Sequence, residues 1–476
     1  MMNYSKSMIV DFYELTMANG YFLEGKKDKI VYFDLYFRKT PDGGGYSIFA
    51  GLETLISFID NFKFNEEDLQ YFRNKKIFSE DFLEYLKNFK FTGDIYSFKE
   101  GSIMFPNEPV ITIKAKLIEA QIIETYFLQT VNHQSLIATK ASRIKNAAQG
   151  RKVLEMGARR AHGESSSVLG ARAAYIGGID GTSNVLSDQL YEVPANGTMA
   201  HSWVQLFDNE YDAFKAYAKH YPNSCTLLVD TYDTLSSGIP NAIKVIKEIL
   251  VPIGAKNYAI RIDSGDLTYL AKQARKMFDE AGLKDCKIVV SNALDERLIQ
   301  TLISQGAPID LFGVGERLIT AKSDPVFGSV YKLVAIEREG KIIPKIKISD
   351  NAEKITTPHF KKVYRIYTED GKAEADLITI FDEKIDFTKP LTIFDPHNTW
   401  KTKTFTNYKI REMLTPIYKK GKRVYTLPSI EEIRKYAADE LDSLWDEVKR
   451  FDFPHKYYID LSKKLWDVKH KLINQK

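Results

Sequence analysis

Between residues 150 and 320 the chain repeats one arrangement, a short apolar run ending in a polar, often glycine-bearing signature. Seven such signatures occur: Glu155-Met156-Gly157-Ala158-Arg159-Arg160, Gly181-Thr182-Ser183-Asn184, Gly197-Thr198-Met199-Ala200-His201-Ser202-Trp203, Asp230-Thr231-Tyr232-Asp233-Thr234, Arg261-Ile262-Asp263-Ser264-Gly265-Asp266, Ser291-Asn292-Ala293-Leu294-Asp295-Glu296 and Phe312-Gly313-Val314-Gly315-Glu316-Arg317. Strands buried on both faces read as apolar runs. In a barrel of parallel strands and helices, the site lies at the C-terminal strand ends. The repeated charged and glycine-bearing ends therefore describe one enzyme site built from many strands. The strands are expected near Val153, Ile179, Thr198, Leu227, Ala259, Ile288 and Leu311, roughly 20 to 32 residues apart, the length of a strand, a helix and two loops. Helical patterns at 239–250 and 268–281 lie between them. Seven units are legible, one short of the usual barrel.

The chain has 476 residues, enough for two or three domains, and 44% of them are apolar, ample material for a core without staples. Lysine and arginine (67) nearly balance aspartate and glutamate (63). That excludes a nucleic-acid binder relying on bulk charge and leaves a local phosphate pocket open. No run of 18 apolar residues occurs, and the N-terminus lacks a basic stretch followed by an apolar core, so no membrane contact and a cytoplasmic location are expected. Cys225 and Cys286 lie in or beside apolar runs and are expected to be buried reduced thiols; no Cys/His spacing resembles a zinc site.

Outside the repeats, residues 30–37 read as a strand, followed by a turn-rich, flexible loop, Arg38-Lys39-Thr40-Pro41-Asp42-Gly43-Gly44-Gly45. Residues 51–90 carry helical spacing, 94–114 short broken strands, and 117–148 a long helix with a buried face. Tyr331–Ile336 and Lys341–Ile348 flank Arg338-Glu339-Gly340 as a hairpin, and a second strand pair surrounds Asp370-Gly371. These patterns predict an α+β domain from 1–149 and 329–385, an α/β barrel at 150–328, and a helical C-terminal extension at 386–476, with helices near 429–448 and 455–473.

Gly313-Val314-Gly315 follows an apolar strand, and a backbone without side chains can approach a phosphate closely or simply turn. Arg261 and Asp263 fall on one face of a strand. Arginine suits a planar carboxylate or phosphate, aspartate suits Mg²⁺ or a ribose hydroxyl, and a buried ion pair is the plainer alternative. His201, amid small residues, suits acid/base or nucleophilic work, or is a core histidine; His162 is a weaker candidate. Asp230 and Asp233 suit a ribose, a metal or a helix cap.

These motifs, with Asp11-Phe12-Tyr13-Glu14-Leu15-Thr16-Met17-Ala18, Phe37-Arg38-Lys39, Gly43-Gly44-Gly45-Tyr46-Ser47-Ile48-Phe49-Ala50-Gly51 and Asn132-His133-Gln134-Ser135-Leu136-Ile137-Ala138-Thr139-Lys140, stand in the order in which they occur in nicotinate phosphoribosyltransferases. The chain resembles that family over about residues 8–350. The resemblance implies an open-sandwich α+β domain with an irregular seven-stranded α/β barrel of the type II phosphoribosyltransferase kind. It implies that nicotinate and 5-phosphoribosyl 1-pyrophosphate are joined to nicotinate mononucleotide and pyrophosphate, within NAD salvage. Mg²⁺ and ATP as co-substrate are implied, with ATP hydrolysis coupled through a phosphorylated histidine falling on His201. A homodimer with shared sites is implied, Tyr13 stacking on the pyridine ring across subunits. Met156, Ser183, Thr198 and Arg261 fall at nicotinate-binding positions, and His201, Asp263 and Arg261 at catalytic ones. Arg38, Arg159, Asp230, Ser264, Gly265, Asn292, Gly313 and Gly315 fall at phosphoribosyl or phosphate positions, and Asp230 and Asp263 at Mg²⁺ positions. Met156 and Ser183 replace a phenylalanine and an aspartate of the related nicotinamide enzyme, and a neutral hydroxyl at 183 tolerates a carboxylate where an aspartate repels it. Glu316 departs from the small hydroxyl residue of many relatives. The alternatives are a nicotinamide or quinolinate enzyme of the same fold, or a non-catalytic pyridine-nucleotide sensor.

Overall fold

The computed structural model describes residues 5–351 and 354–475. The chain divides into two compact units, Met1–Leu136 with Val326–Lys476, and Ile137–Pro325.

The second unit carries the repeats. Five strands pair in parallel in the order Lys152–Glu155, Leu311–Val314, Lys287–Ser291, Tyr258–Ile262, Cys225–Leu228. Their side chains are mostly buried, which explains the apolar runs. Beyond Lys152–Glu155 the sheet continues as single bridges, Glu155 with Thr182 and Thr182 with Ala195. The strands expected near Ile179 and Thr198 are thus reduced to one bridging residue each, and the second lies at Ala195 rather than at 198. The cause is local. Pro194 has no N–H to give a ladder, and a side chain at Gly181 would meet the Pro194 carbonyl oxygen at 2.7 Å. Thr182 N still donates to Pro194 O (3.0 Å), and Asn196 N to Thr182 O (2.7 Å).

Helices follow where aspartates release the chain from its strand ends. Asp266 accepts from Tyr269 N at 3.0 Å and Asp295 from Leu298 N at 2.9 Å, starting Leu267–Glu280 and Glu296–Ser304. Asp233, left between ligand and cap by the sequence, accepts from Leu235 N (3.1 Å) and Ser236 N (2.6 Å) and is a cap. Cys225 and Cys286 are buried free thiols, pushed up to about 12 by burial.

The first unit is built on a seven-stranded sheet ordered Lys341–Pro344, Ser329–Arg338, Ile30–Phe37, Ile111–Lys116, Asp94–Ser97, Thr415–Lys419, Lys422–Arg423. A second sheet orders Lys409–Glu412, Lys361–Tyr367, Ala373–Ile380, Tyr458–Leu461. Both expected hairpins are present, with Ile336 opposite Ile343 and Ile366 opposite Ala375. The segment 386–476 is not the helical extension expected. Beside the helices Ile430–Ser443 and Lys463–Asn474 it contributes strands to both sheets. Nor is the loop after Phe37 loosely held: a side chain at Gly45 would meet the Val448 carbonyl oxygen at 2.2 Å.

Buried charge holds this unit's core together. Arg365 is fully buried and donates through Nε and Nη2 to Asp376, through Nη1 to Glu440 (3.0 Å) and through Nη2 to Ile103 O (3.0 Å). Tyr457 Oη donates to the same Asp376 at 2.9 Å.

Candidate active site

At the C-terminal ends of the second unit's strands the predicted polar residues gather. Arg261, at the end of Tyr258–Ile262, donates through Nη1 to Thr198 Oγ1 (2.7 Å) and through Nη2 to Met199 O (2.9 Å). Its Nε has no acceptor, and burial lowers its basicity. The buried ion pair with Asp263 considered from the sequence is not formed; Arg261 binds a hydroxyl and a carbonyl instead.

Asp230 is buried at the end of the neighbouring strand. Its Oδ2 accepts from Asp263 N (2.9 Å) and Ser264 Oγ (2.6 Å), while Oδ1 is buried without a donor. Asp263 accepts a short hydrogen bond from Ser291 Oγ at the next strand end and presents Oδ2 at 3.9 Å from His201 Nε2. His201 opens a short helix, and its Nδ1 lies 3.1 Å from Thr231 Oγ1. Thus Thr198, His201, Asp230, Arg261, Asp263 and Ser264 form one cluster, joined by Thr231 and Ser291, which the sequence reading did not single out.

Gly313 and Gly315 flank the side of this arc that holds Met156. A side chain at Gly313 would meet Met156 Sδ at 2.7 Å, and one at Gly315 would meet Met156 O at 3.0 Å. Here the close approach is to the protein's own strand end, so the glycines are needed for packing whatever else they bind. Gly265 has φ +78° and Asn292 φ +88°; both sit in the left-handed region, so backbone groups turn outward at two adjacent strand ends. Ser183 and Arg159 are exposed, and the Arg159 charge helps to lower Arg261. His162 is exposed. Tyr13 and Arg38 belong to the first unit.

Glu155 was quoted within a signature but given no role. Its side chain is 1% exposed, and it accepts from Thr182 Oγ1 (2.6 Å) and, in a short bond, from Gly157 N. Its own carbonyl accepts from Ser183 N at 2.8 Å. One residue therefore ties the ends carrying Met156 and Ser183. A lone acid between Leu154 and Met156 in an apolar run was the available signal.

Among the described residues no group of three or more His, Cys, Asp or Glu side chains could hold a metal alone. Asp230 and Asp263 nonetheless suit Mg²⁺, which takes one or two carboxylates and completes its shell with water and substrate phosphates; the unpartnered Asp230 Oδ1 is the observation that fits.

Parallel strand ends bearing a carboxylate pair, a histidine and an arginine without a carboxylate define an α/β enzyme site for anionic substrates. The nicotinate phosphoribosyltransferase family model matches residues 151–384, with its N-terminal domain at 8–132 and its C-terminal domain at 360–469. The nicotinate phosphoribosyltransferase of Bacillus subtilis is 47% identical over 472 residues, covering 99% of this chain and 96% of that protein. The human one is 30% identical, covering 97% and 95%. The crystal structure of human nicotinic acid phosphoribosyltransferase superposes with a TM-score of 0.86 at 28% identity, over 97% of this chain and 99% of that one. A nicotinate-nucleotide pyrophosphorylase from Pyrococcus furiosus shares the fold, with a TM-score of 0.71 at 24% identity over 93% and 98%. The chain belongs to the nicotinate phosphoribosyltransferase family. No helix among the described residues is long and apolar enough to cross a membrane.

Proposed function

We propose that this protein joins nicotinate to 5-phosphoribosyl 1-pyrophosphate, giving nicotinate mononucleotide and pyrophosphate for NAD salvage, with ATP hydrolysis coupled to the reaction. The observation that carries this reading is Arg261, a partly buried guanidinium bonded to a hydroxyl and a carbonyl but to no carboxylate. It suits the planar carboxylate of nicotinate, with Thr198 beside it and Met156 against the ring. In the reaction the pyridine nitrogen attacks the ribosyl carbon, and the bond to the pyrophosphate oxygen breaks. Positive charge develops on the sugar and negative charge on the leaving group, so holding the ring in line and stabilising the pyrophosphate do the work. Arg159, Asn292, Ser264, the turned backbone at Gly265 and the side-chain-free backbone at Gly313 and Gly315 suit the phosphoribosyl and pyrophosphate groups. Asp230 and Asp263 would hold Mg²⁺, which supplies charge neutralisation at the phosphates.

His201 is the proposed phosphate acceptor from ATP. Its Nδ1 is hydrogen-bonded with Thr231 Oγ1, and in the tautomer that carries its proton on Nδ1 the partly exposed Nε2, opposite Asp263, has the lone pair that phosphate transfer needs. Tyr13 and Phe12 are 46% and 51% exposed on the helix Phe12–Leu23, which supports a homodimer in which Tyr13 stacks on the ring in the partner's site. The test is synthesis from nicotinate, nicotinamide or quinolinate, each with phosphoribosyl pyrophosphate and Mg²⁺, with and without ATP. Nicotinate alone should be used well, and ATP should stimulate. His201→Ala should lose ATP hydrolysis, its stimulation and acid-labile phosphate incorporation while retaining slow synthesis. Preferred use of nicotinamide or quinolinate overturns the substrate; persisting phosphate incorporation in His201→Ala overturns the histidine.

A further inference from the structure

The strand end that carries Ser183 is held almost without a ladder. Thr182 has one rung on each side, to Glu155 and to Ala195. On the Glu155 side the rung is two backbone bonds, Glu155 N to Gly181 O (2.9 Å) and Ser183 N to Glu155 O (2.8 Å). A longer parallel ladder repeats its bonds evenly along the strand; here the segment leaves the sheet at once.

Beyond that rung the Glu155 side chain takes over. It is 1% exposed, and its two donors are neutral groups: Thr182 Oγ1 gives to Oε2 at 2.6 Å, and Gly157 N gives to Oε1 in a short bond. Thr182 Oγ1 in turn accepts from Asn184 N at 3.0 Å. Hydrogen bonds therefore run without a break from Gly157, directly after Met156, to Asn184, directly after Ser183. The Met156 side has no slack, since a side chain at Gly157 would meet Glu155 Oε1 and Ile319 Cβ at 2.7 Å each. A carboxylate buried without a cation is costly. What it supplies here is two acceptors at a fixed reach, one for each strand end.

We infer that Glu155 is a specificity-determining positioning residue: it sets the gap between Met156 and Ser183, and through that gap the choice of a carboxylate-bearing over an amide-bearing pyridine. The inference rests on the reading of Met156, Ser183 and Arg261 as the nicotinate pocket. Glu155 itself meets neither the ring nor its carboxylate; it acts through the residues next to its donors. The property used is reach, not charge.

Two substitutions separate these properties. Glu155→Asp keeps the charge and is one methylene short, so it cannot accept from both strand ends at once. Glu155→Gln loses the charge and keeps the reach: Oε1 accepts from Gly157 N, and Thr182 Oγ1 has lone pairs for both Nε2 and Asn184 N. The measurements are the nicotinate KM and kcat and the inhibition of synthesis by nicotinamide. Glu155→Asp should raise the nicotinate KM by about ten- to a hundredfold, the effect of a misplaced substrate, with kcat and nicotinamide inhibition changing much less. Glu155→Gln should stay close to the wild-type protein. Should Glu155→Asp fail to fold, Thr182→Val, which keeps the shape and removes the hydroxyl, must raise the nicotinate KM in the same way, and Thr182→Ser must restore it. The opposite order, with Glu155→Asp normal and Glu155→Gln impaired, makes charge the operative property and overturns the inference. Thermal stability falling in Glu155→Asp and Thr182→Val with the nicotinate KM unchanged overturns it too, because a purely structural role gives that result. Arg261→Ala keeps the two questions apart. A KM raised there but unchanged in the Glu155 and Thr182 variants ends this inference and leaves the pocket standing; a KM unchanged in Arg261→Ala ends the pocket and this inference with it.

Discussion

Arg365 and Arg261 both sit on strands, one in each unit, and they are bonded in opposite ways. Arg365 is fully buried, uses all three nitrogens and meets the carboxylates of Asp376 and Glu440. Those carboxylates hold its charge, well above the ordinary arginine range. Arg261 is partly buried, meets only Thr198 and Met199 O, leaves Nε unpartnered, and has its basicity lowered by burial. The first arginine is complete within the fold. The second is held in place by neutral groups and keeps one nitrogen without an acceptor. Buried position alone therefore does not separate the two arginines; the missing carboxylate does, and it is the feature on which the proposed nicotinate contact rests.

The largest effect should come from breaking the complete one. Arg365→Met leaves Asp376 and Glu440 buried without their cation, which costs about 3–5 kcal/mol of stability. Urea denaturation should show the midpoint falling, whatever remains of activity. A loss under about 1 kcal/mol would mean that the two carboxylates find other partners and that the contrast with Arg261 is weaker than drawn.

Arg261→Ala should do the reverse, with the urea midpoint moving little because no carboxylate is bared. The loss should appear in nicotinate kinetics, about 2–5 kcal/mol in kcat/KM and carried mainly by KM. Arg261→Lys should recover part of it. Stability falling as far as in Arg365→Met, with unchanged KM, would make Arg261 another structural arginine.

The two arginines also differ in how readily the sequence shows them. Arg261 stands in Arg261-Ile262-Asp263-Ser264-Gly265-Asp266, a polar end on an apolar strand, and period-two alternation placed it with Asp263 on one face. Arg365 stands in Lys361–Tyr367, amid other charged residues; its partner Asp376 lies opposite it in the hairpin, but Glu440 is 75 residues away. The same reasoning separates the units. The strands of the second unit are buried on both faces and so announce themselves. Lys409–Glu412 and Thr402–Phe405 are short, charged and largely exposed, and no apolar pattern marks them as strands. Thr415–Lys419 is a strand because it pairs with Asp94–Ser97 far upstream, a fact that no local window contains. At the site, single residues with visible chemistry were legible: His201, Asp230 and Asp263. The hydroxyls that orient them, Thr231 and Ser291, and the anchor Glu155 were not, because their role lies in distance rather than in residue type.

Ser183→Asp sharpens the comparison from the ligand's side. It places a negative charge at the strand end tied to Met156 through Glu155, where the Arg261 reading places a carboxylate-bearing substrate. The repulsion should cost about 1–4 kcal/mol, depending on how well water is excluded. Nicotinate KM should rise while nicotinamide use is spared. An equal effect on both substrates would indicate a disturbed loop rather than a charge contact.

The last comparison tests the same principle on an acid, through a slope with pH rather than a single loss. Asp376, against Arg365, is held below the usual carboxylate range. Glu14 is equally buried but has no cation: Oε1 accepts from Thr125 N (3.1 Å) and Thr125 Oγ1 (2.5 Å), and Oε2 has no partner. Burial, with the charge of Glu124 adding to it, pushes Glu14 up to about 8, against an ordinary value of 4.5. The folded protein then keeps a proton that the unfolded chain gives up, so the stability it contributes is full below about pH 4.5 and is lost as pH rises towards about 8. One proton bounds the slope at about 1.4 kcal/mol per pH unit. Glu14→Gln keeps an oxygen for Thr125 and cannot ionise, so urea midpoints measured across this window should fall less steeply than in the wild-type protein. Asp376 acts in the opposite direction, losing its contribution as pH falls. If the wild-type and Glu14→Gln slopes coincide, a cation reaches Glu14 in solution, and the acid without a partner is complete after all.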